Sequence, residues 1–260
     1  MLFVSDPRWP SYLKPAELAS EMGCRILPRM DETEDETVVF VKRVEDEDIQ
    51  RAKRQGCRIV YDPMDYFCYP KRQVSWGHLV DVVVIPNKSC IDEYRKLFPL
   101  AQFVLIPEHA PPRLKGMCEY WEPKFGYIGA EFNMPKVKTP MTSVLDRKDW
   151  LDMAPKFNLH LCVSKREGLA WLMKPASKLA MASAVGACAV VYKDPSAVEL
   201  LGEDYPFYVK SSIDETAQEA LSCFGDEKWY KAKRMMKEVK ERTSVSESAK
   251  SYTALEVTYA

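Results

Sequence analysis

Short apolar runs rich in valine and isoleucine alternate along the chain with segments of helical periodicity. In the first half, the runs at 37–42, 57–61, 80–85 and 102–106 are separated by amphipathic stretches such as 46–55. Strands that are apolar throughout are buried on both faces, and the helices between them make the crossovers that parallel strands need. The pattern therefore predicts an α/β fold with a parallel sheet covered by helices.

The alternation is interrupted by a segment with three prolines and a glycine, "PEHAPPRLKG", and then resumes. Further strands are predicted at 125–129, 158–163 and 187–192, with a last one at 207–209. A charged helical tail is expected from 214 to 242. We therefore predict two Rossmann-like domains facing a cleft. Their boundaries are 1–110 for the N-terminal domain, 111–124 for a linker and 125–260 for the C-terminal domain.

Charge and composition exclude several classes of protein. The 37 basic and 38 acidic residues give a net charge of −1, so affinity from a bulk positive field is excluded, although a local basic groove is not. No apolar run approaches the roughly 18 residues that span a bilayer. The eight cysteines form no C-x-x-C pair, which leaves zinc-knuckle and thioredoxin interpretations without support. We expect a cytoplasmic protein with no membrane span.

Four cations follow the predicted strand 158–163: Lys165, Arg166, Lys174 and Lys178. In open α/β sheets, ligands bind beyond the carboxyl ends of the strands, often against a helix N-terminus. Helix amides together with Lys or Arg side chains would hold a diphosphate there. The alternative is a solvated loop with ordinary surface charge. No buried structural role is expected for the Lys178 charge.

The stretch "KPASKLAMASAVGACAVVYKDPSAVELL" resembles the nucleotide-sugar half of GT-B-fold glycosyltransferases, in particular the retaining, group-1-like members. Their C-terminal domains carry a P-x-K-L-x-E-x-x-A-x-G-x-P-V-V segment and a later E-L-L, and Lys178, Gly186 and Glu199 fall in register with it. "FGYIG" at 125–129 resembles the strand and loop that open that domain. The run from "VDVVVI" to "FVLIPEHA" resembles the end of the first domain.

The resemblance implies transfer of a sugar from a nucleotide-diphosphate donor to an acceptor hydroxyl, with no cofactor and no metal. The acceptor would be a small molecule, a glycan or a nucleic-acid base. Met181 stands where many members have a glutamate that contacts the ribose, so ribose recognition would move to Glu199. The residues implied for the donor are Gly129, Lys165, Arg166, Lys174, Lys178 and Glu199. A degenerate, non-catalytic binding module and a nucleotide-sugar epimerase remain as alternatives.

Candidates for the acceptor side follow the strand 57–61 and precede the linker. Asp65 is a candidate general base, because a base must lie in a loop that faces the acceptor. Asp62 and Tyr66 are candidate acceptor-binding residues. Turn formation and capping are the alternative for the two aspartates. His109 would bind the donor sugar or act as a base; the alternative is polar surface. His160, which alternates with leucines in a strand, is predicted to be structural.

Two further patterns favour structural roles. Asp46, Glu47 and Asp48 form a D-x-D string, but acids at a solvated helix N-terminus account for it without a metal. The other pattern is an aromatic group that would line an acceptor site or, more in keeping with its position, form a core cluster under a loop. Its members are Tyr61, Tyr66, Phe67, Tyr69 and Trp76.

Overall fold

A computed structural model of the chain contains two compact units. The first comprises Met1–Glu108, Gly168–Pro175 and Val245–Ala260, and the second His109–Glu167 and Ala176–Ser244. The division at 110 and 124 stays a prediction, and the structure groups two later segments with the first unit. The described residues are 1–8, 13–32, 34, 36–68, 74–114, 118, 121–145, 150–163 and 168–257.

Each unit is built on a parallel sheet, as the alternation predicted. The first sheet has the strand order β2-β1-β3-β4-β5-β6, and the second has the order β10-β9-β7-β8. All strand pairs in both are parallel. The strands are β1 (Leu2–Val4), β2 (Arg25–Leu27), β3 (Thr37–Val41), β4 (Arg58–Asp62), β5 (Val82–Ile85), β6 (Gln102–Leu105), β7 (Phe125–Ile128), β8 (Thr142–Val144), β9 (Leu159–Leu161) and β10 (Cys188–Val190).

Helices connect and cover these strands. They are α1 (Leu13–Met22), α2 (Asp46–Arg54), α3 (Ile91–Leu97), α4 (Trp150–Met153), α5 (Leu169–Met173), α6 (Ser177–Ala184), α7 (Pro195–Leu201), α8 (Ile213–Ser222), α9 (Glu227–Arg242) and α10 (Val245–Val257). Within the first unit α10 packs against α1, and within the second α9 packs against α6. Packing on both faces of the first sheet buries the valine-rich strands β3, β4 and β5 almost completely.

The second core depends on a close approach between a strand and an aromatic ring. A Cβ placed on Gly126, in the middle of β7, would lie 2.3 Å from the Phe157 ring. Phe157 is itself buried, and its ring lies edge-on to the His160 ring at a centroid distance of 5.8 Å. The glycine in "FGYIG" is therefore needed for packing of this sheet.

One sequence prediction of a strand is wrong, and one strand was missed. The segment 207–209 forms only an isolated bridge between Tyr208 and Val191, because buried Phe207 packs against Trp229 of α9. The edge strand β8 was not predicted, because its residues are mostly exposed and form no apolar run. The charged tail is helical as predicted, but it is divided into α8 and α9. None of the described helices is long and apolar enough to cross a bilayer.

Candidate functional site

The carboxyl edge of the second sheet brings together two loops that are far apart in sequence. β7 ends at Ile128 and is followed by Gly129. The neighbouring strand β9 ends at Leu161, two residues before Val163. Because the strands are parallel, these two ends lie at the same edge. Ligands bind at this edge in open α/β sheets.

The Lys178 side chain reaches this edge from the first turn of α6. Its Nζ donates a hydrogen bond to the Val163 carbonyl oxygen at 3.2 Å and lies 3.8 Å from the centroid of the Tyr127 ring. A Cβ placed on Gly129 would lie 2.9 Å from the same Nζ. The structure therefore brings Gly129 and Lys178 together, and the glycine leaves the space that the ammonium group needs.

Tyr127 provides the surface on which the ammonium group rests. The residue is buried and its hydroxyl donates to the Ala130 carbonyl oxygen at 3.1 Å. Burial raises the pKa of Tyr127 to about 12, so the phenol stays neutral. A cation over an aromatic face gains electrostatic stabilisation. The expectation that the Lys178 charge has no structural role is wrong, because it joins β7, β9 and α6.

Other groups near this edge take part in the hydrogen bonding and packing that stabilise the fold. The Gly129 amide donates to the Val144 carbonyl oxygen at 3.2 Å. Met181 is 8% exposed and belongs to the core of the second unit, so its side chain faces away from solvent. Glu199 is partly exposed on α7, which follows β10 and is capped by the Asp194 carboxylate accepting from the Ala197 amide at 2.9 Å.

The other three predicted cations are in the first unit or outside the described residues. Lys174 directly follows α5 and belongs to the first unit, where it is partly buried. Lys165 and Arg166 lie outside the described residues. Of the four predicted cations, Lys178 is the one whose position at the carboxyl edge of the second sheet the structure describes.

Asp62, at the end of β4 in the first unit, is 2% exposed and takes part in a buried network. One carboxylate oxygen accepts from Lys14 Nζ at 2.7 Å and from the Tyr252 hydroxyl at 2.6 Å. The other accepts from the Met64 amide at 3.1 Å. Burial raises the pKa of Tyr252 well above its usual value, which keeps the phenol protonated as a donor. Asp62 thus has a structural role, and acceptor binding by it stays a prediction.

Asp65 and Tyr66 lie in the loop that follows β4. The Asp65 carboxylate is 26% exposed and lies 2.7 Å from Lys42 Nζ, while Tyr66 packs edge-on against Phe67. Lys42 and Met64 both have left-handed backbone conformations, with φ of 62° and 50°. Non-glycine residues with a left-handed backbone are uncommon, and they concentrate at functional sites. Sequence reasoning missed Lys42, which only its position at the end of the predicted strand 37–42 could have indicated.

Two histidines that the sequence singled out are buried. His109 is 5% exposed in the second unit, so the polar-surface interpretation is wrong, whereas its catalytic role stays a prediction. His160 is confirmed as structural: its Nε2 donates to the Ala154 carbonyl oxygen at 3.0 Å. Burial lowers the pKa of His160 to about 4, so the ring is neutral at physiological pH.

The acids Asp46, Glu47 and Asp48 lie in the first turn of α2, as the structural interpretation predicted, but Asp48 is 4% exposed, so the description of this helix N-terminus as solvated is wrong for that residue. Asp46 accepts from the Trp76 indole at 3.0 Å, and Asp48 pairs with Arg29 at 2.7 Å. Tyr61 and Trp76 are buried in mutual edge-on contact, which confirms the core cluster; Tyr69 lies outside the described residues. No group of three or more metal-ligating side chains comes together within the described ranges.

Neither a family profile nor a curated protein matches the sequence. Solved structures do match. One is Anabaena Alr3699/HepE in complex with UDP and glucose, with a TM-score of 0.63, 8% identity and 99% coverage of both chains. The same protein in complex with UDP-glucose gives a TM-score of 0.60, 9% identity and 98% coverage of both. The GtfA/B complex gives a TM-score of 0.54 at 10% identity. That match covers 85% of this chain and 57% of the other chain.

These likenesses show the fold. Two parallel-sheet units and nearly complete coverage define a two-domain, Rossmann-like GT-B fold, as the sequence predicted.

Proposed function

We propose that this chain is a glycosyltransferase that moves a sugar from a nucleotide-diphosphate donor to an acceptor hydroxyl. The observation that carries the proposal is the Lys178 ammonium group beside Gly129 at the carboxyl edge of the second sheet. HepE, which has the same fold at very low identity, is described in complex with UDP and with UDP-glucose. A uridine diphosphate sugar is therefore the first donor to test.

In this reaction the bond from the anomeric carbon to the diphosphate oxygen breaks, and the electron pair stays on the leaving diphosphate. A fixed cation stabilises that developing charge more than it stabilises the substrate, which lowers the barrier. Lys178 would supply this charge next to the loop at Gly129. Lys165, Arg166 and Lys174 are proposed to add to it, so that no metal and no other cofactor is needed. Glu199 would contact the ribose, because Met181 is buried.

The acceptor would be bound by the first unit. Its hydroxyl oxygen forms the new bond to the anomeric carbon, and its proton passes to a base. Asp65 is the proposed base, because its carboxylate is partly exposed in the loop after β4. Tyr66 and Asp62 would shape the acceptor site, the latter by fixing the end of β4. His109 is the second proposed catalytic residue, acting on the donor sugar.

A second candidate is a non-catalytic module that binds nucleotide sugars. It is favoured by Met181 in the core and by an Asp62 carboxylate whose two oxygens already accept hydrogen bonds. In that case the donor would bind and the sugar would never be transferred.

The test begins with thermal shift in the presence of UDP-, GDP-, ADP- and TDP-sugars. Stabilisation by at least one, expected first for UDP-glucose, supports the donor site, because a ligand that binds only the folded state raises the melting temperature. No stabilisation by any would contradict the proposal.

Release of UDP with acceptor-dependent transfer identifies a transferase, whereas an epimerised donor identifies an epimerase. Transfer should continue in the presence of EDTA. Proton NMR of the product would show whether the anomeric configuration is retained, as the resemblance implies, or inverted, as a direct displacement assisted by a base would give.

A further inference from the structure

The two faces of α9 differ sharply in chemistry. Trp229, Ala232, Met236 and Val239 are buried in the core of the second unit. A face beside the buried one carries residues at spacings of three and four, which places them in one row along the helix. We call this row the basic stripe; it consists of Tyr230, Lys233, Arg234, Lys237 and Lys240.

The stripe lines a groove rather than a flat surface. Together with the end of α6 at Ser183 and Gly186, it borders a space of about 800 Å³ within the second unit. Lys233 Nζ donates to the Gly186 carbonyl oxygen at 2.7 Å, which fixes one wall. The Tyr230 ring is 55% exposed. From Tyr230 to Lys240 the stripe is about 15 Å long, at 1.5 Å per helical residue.

Positive charge is concentrated in the groove although the chain as a whole is nearly neutral. Four cations line it, against the single carboxylate of Glu241. Arg234 and Lys237 form no ion pair with any residue that the structure describes. A concave surface of one sign raises the local concentration of oppositely charged ligands. The groove therefore suits a polyanion.

The shape and the lining favour one kind of polyanion. The apolar face of α9 is buried, so the helix has no face to insert into a bilayer. Tyr230 is the only aromatic side chain in the described lining, whereas single-stranded nucleic acids need a series of stacking platforms. A single ring and the aliphatic stems of the basic side chains instead match the apolar faces of sugar rings, while the charged groups of Arg234 and Lys237 would meet carboxylates.

We propose that the basic stripe binds an acidic glycan, a carbohydrate chain that bears carboxylate groups. The choice of a glycan over other polyanions rests on the proposed function, in which the acceptor is unidentified. The groove would hold an acceptor chain at a position additional to the residues already proposed for catalysis.

The test is titration of the whole 260-residue chain, without donor, with an oligogalacturonate long enough to span the stripe. Binding should weaken as salt is added, since exposed charges are screened. The double variant Arg234→Gln/Lys237→Gln should bind about tenfold more weakly, from two exposed charge contacts. The matched control Lys210→Gln/Lys231→Gln removes the same charge from exposed residues of the same unit and should keep its affinity.

Four results would overturn the inference: no binding of oligogalacturonate, equal binding of a neutral oligosaccharide of the same length, unchanged affinity of the stripe variant, or tighter stripe-dependent binding of phosphatidylserine vesicles or oligo-dT. UDP binding is measured in parallel with both double variants. If the protein binds UDP but no oligogalacturonate, the result supports the proposed function and contradicts the glycan site. If it binds oligogalacturonate but no UDP, the result contradicts the proposed function and supports the glycan site.

Discussion

Replacement of Lys178 by methionine tests the proposed diphosphate site while keeping most of the aliphatic stem. The variant loses a hydrogen bond to the Val163 carbonyl oxygen and the contact with the Tyr127 ring. Together these contribute about 2 kcal/mol to the free energy of unfolding. The variant also loses a charged donor to the diphosphate, worth about 2 kcal/mol, which corresponds to a UDP affinity about thirtyfold weaker.

Titration calorimetry with UDP measures the affinity, and urea denaturation measures the stability. The control is Lys156→Met, which removes an exposed lysine just before β9, at the opposite edge of the same sheet. It should change neither quantity. Gly129→Ala should reproduce the affinity loss of Lys178→Met, because its Cβ would occupy the space beside Nζ. Unchanged UDP affinity in Lys178→Met would show that the diphosphate does not bind there.

Three other predictions concern the buried polar groups and the proposed base. Tyr252→Phe removes a donor to the buried Asp62 carboxylate and should lower the free energy of unfolding by about 2 kcal/mol; a change near zero would contradict the network. His160, with its pKa lowered by burial to about 4 from 6.5, takes up a proton on unfolding between those pH values. Stability should therefore fall by about 3 kcal/mol between pH 6.5 and 4, and His160→Gln should flatten that dependence in urea titrations. Asp65→Asn should reduce kcat at least about tenfold with unchanged UDP affinity; equal turnover would remove Asp65 from the chemistry.

The alternation of strands and helices could be predicted because local sequence determines it. In the first unit, β3, β4 and β5 are valine-rich runs buried on both faces, a pattern typical of the central strands of a parallel sheet. The predictions failed where a strand is not buried or where a buried residue does not belong to a strand. β8 is a strand without burial, and Phe207 is buried without belonging to a strand.

Contacts between distant segments could not be predicted from local pattern. Tyr252 bonds to Asp62 across 190 positions, and no periodicity in α10 indicates that it packs on the first unit. The contact between Gly129 and Lys178 was partly predictable. Gly129 follows a predicted strand and Lys178 lies in the first turn of a predicted helix, and both positions are expected at the carboxyl edge of the sheet. The Tyr127 ring beneath the ammonium group was not, because no local pattern indicates that a residue of β7 contacts a side chain of α6.

The most direct measurement is a crystal structure of the protein with UDP-glucose. We predict diphosphate oxygens within hydrogen-bond distance of Lys178 Nζ, beside the loop at Gly129, with the uracil near the end of β9. A nucleotide bound at any other place on the second unit, with no contact to Lys178 Nζ, would contradict the account.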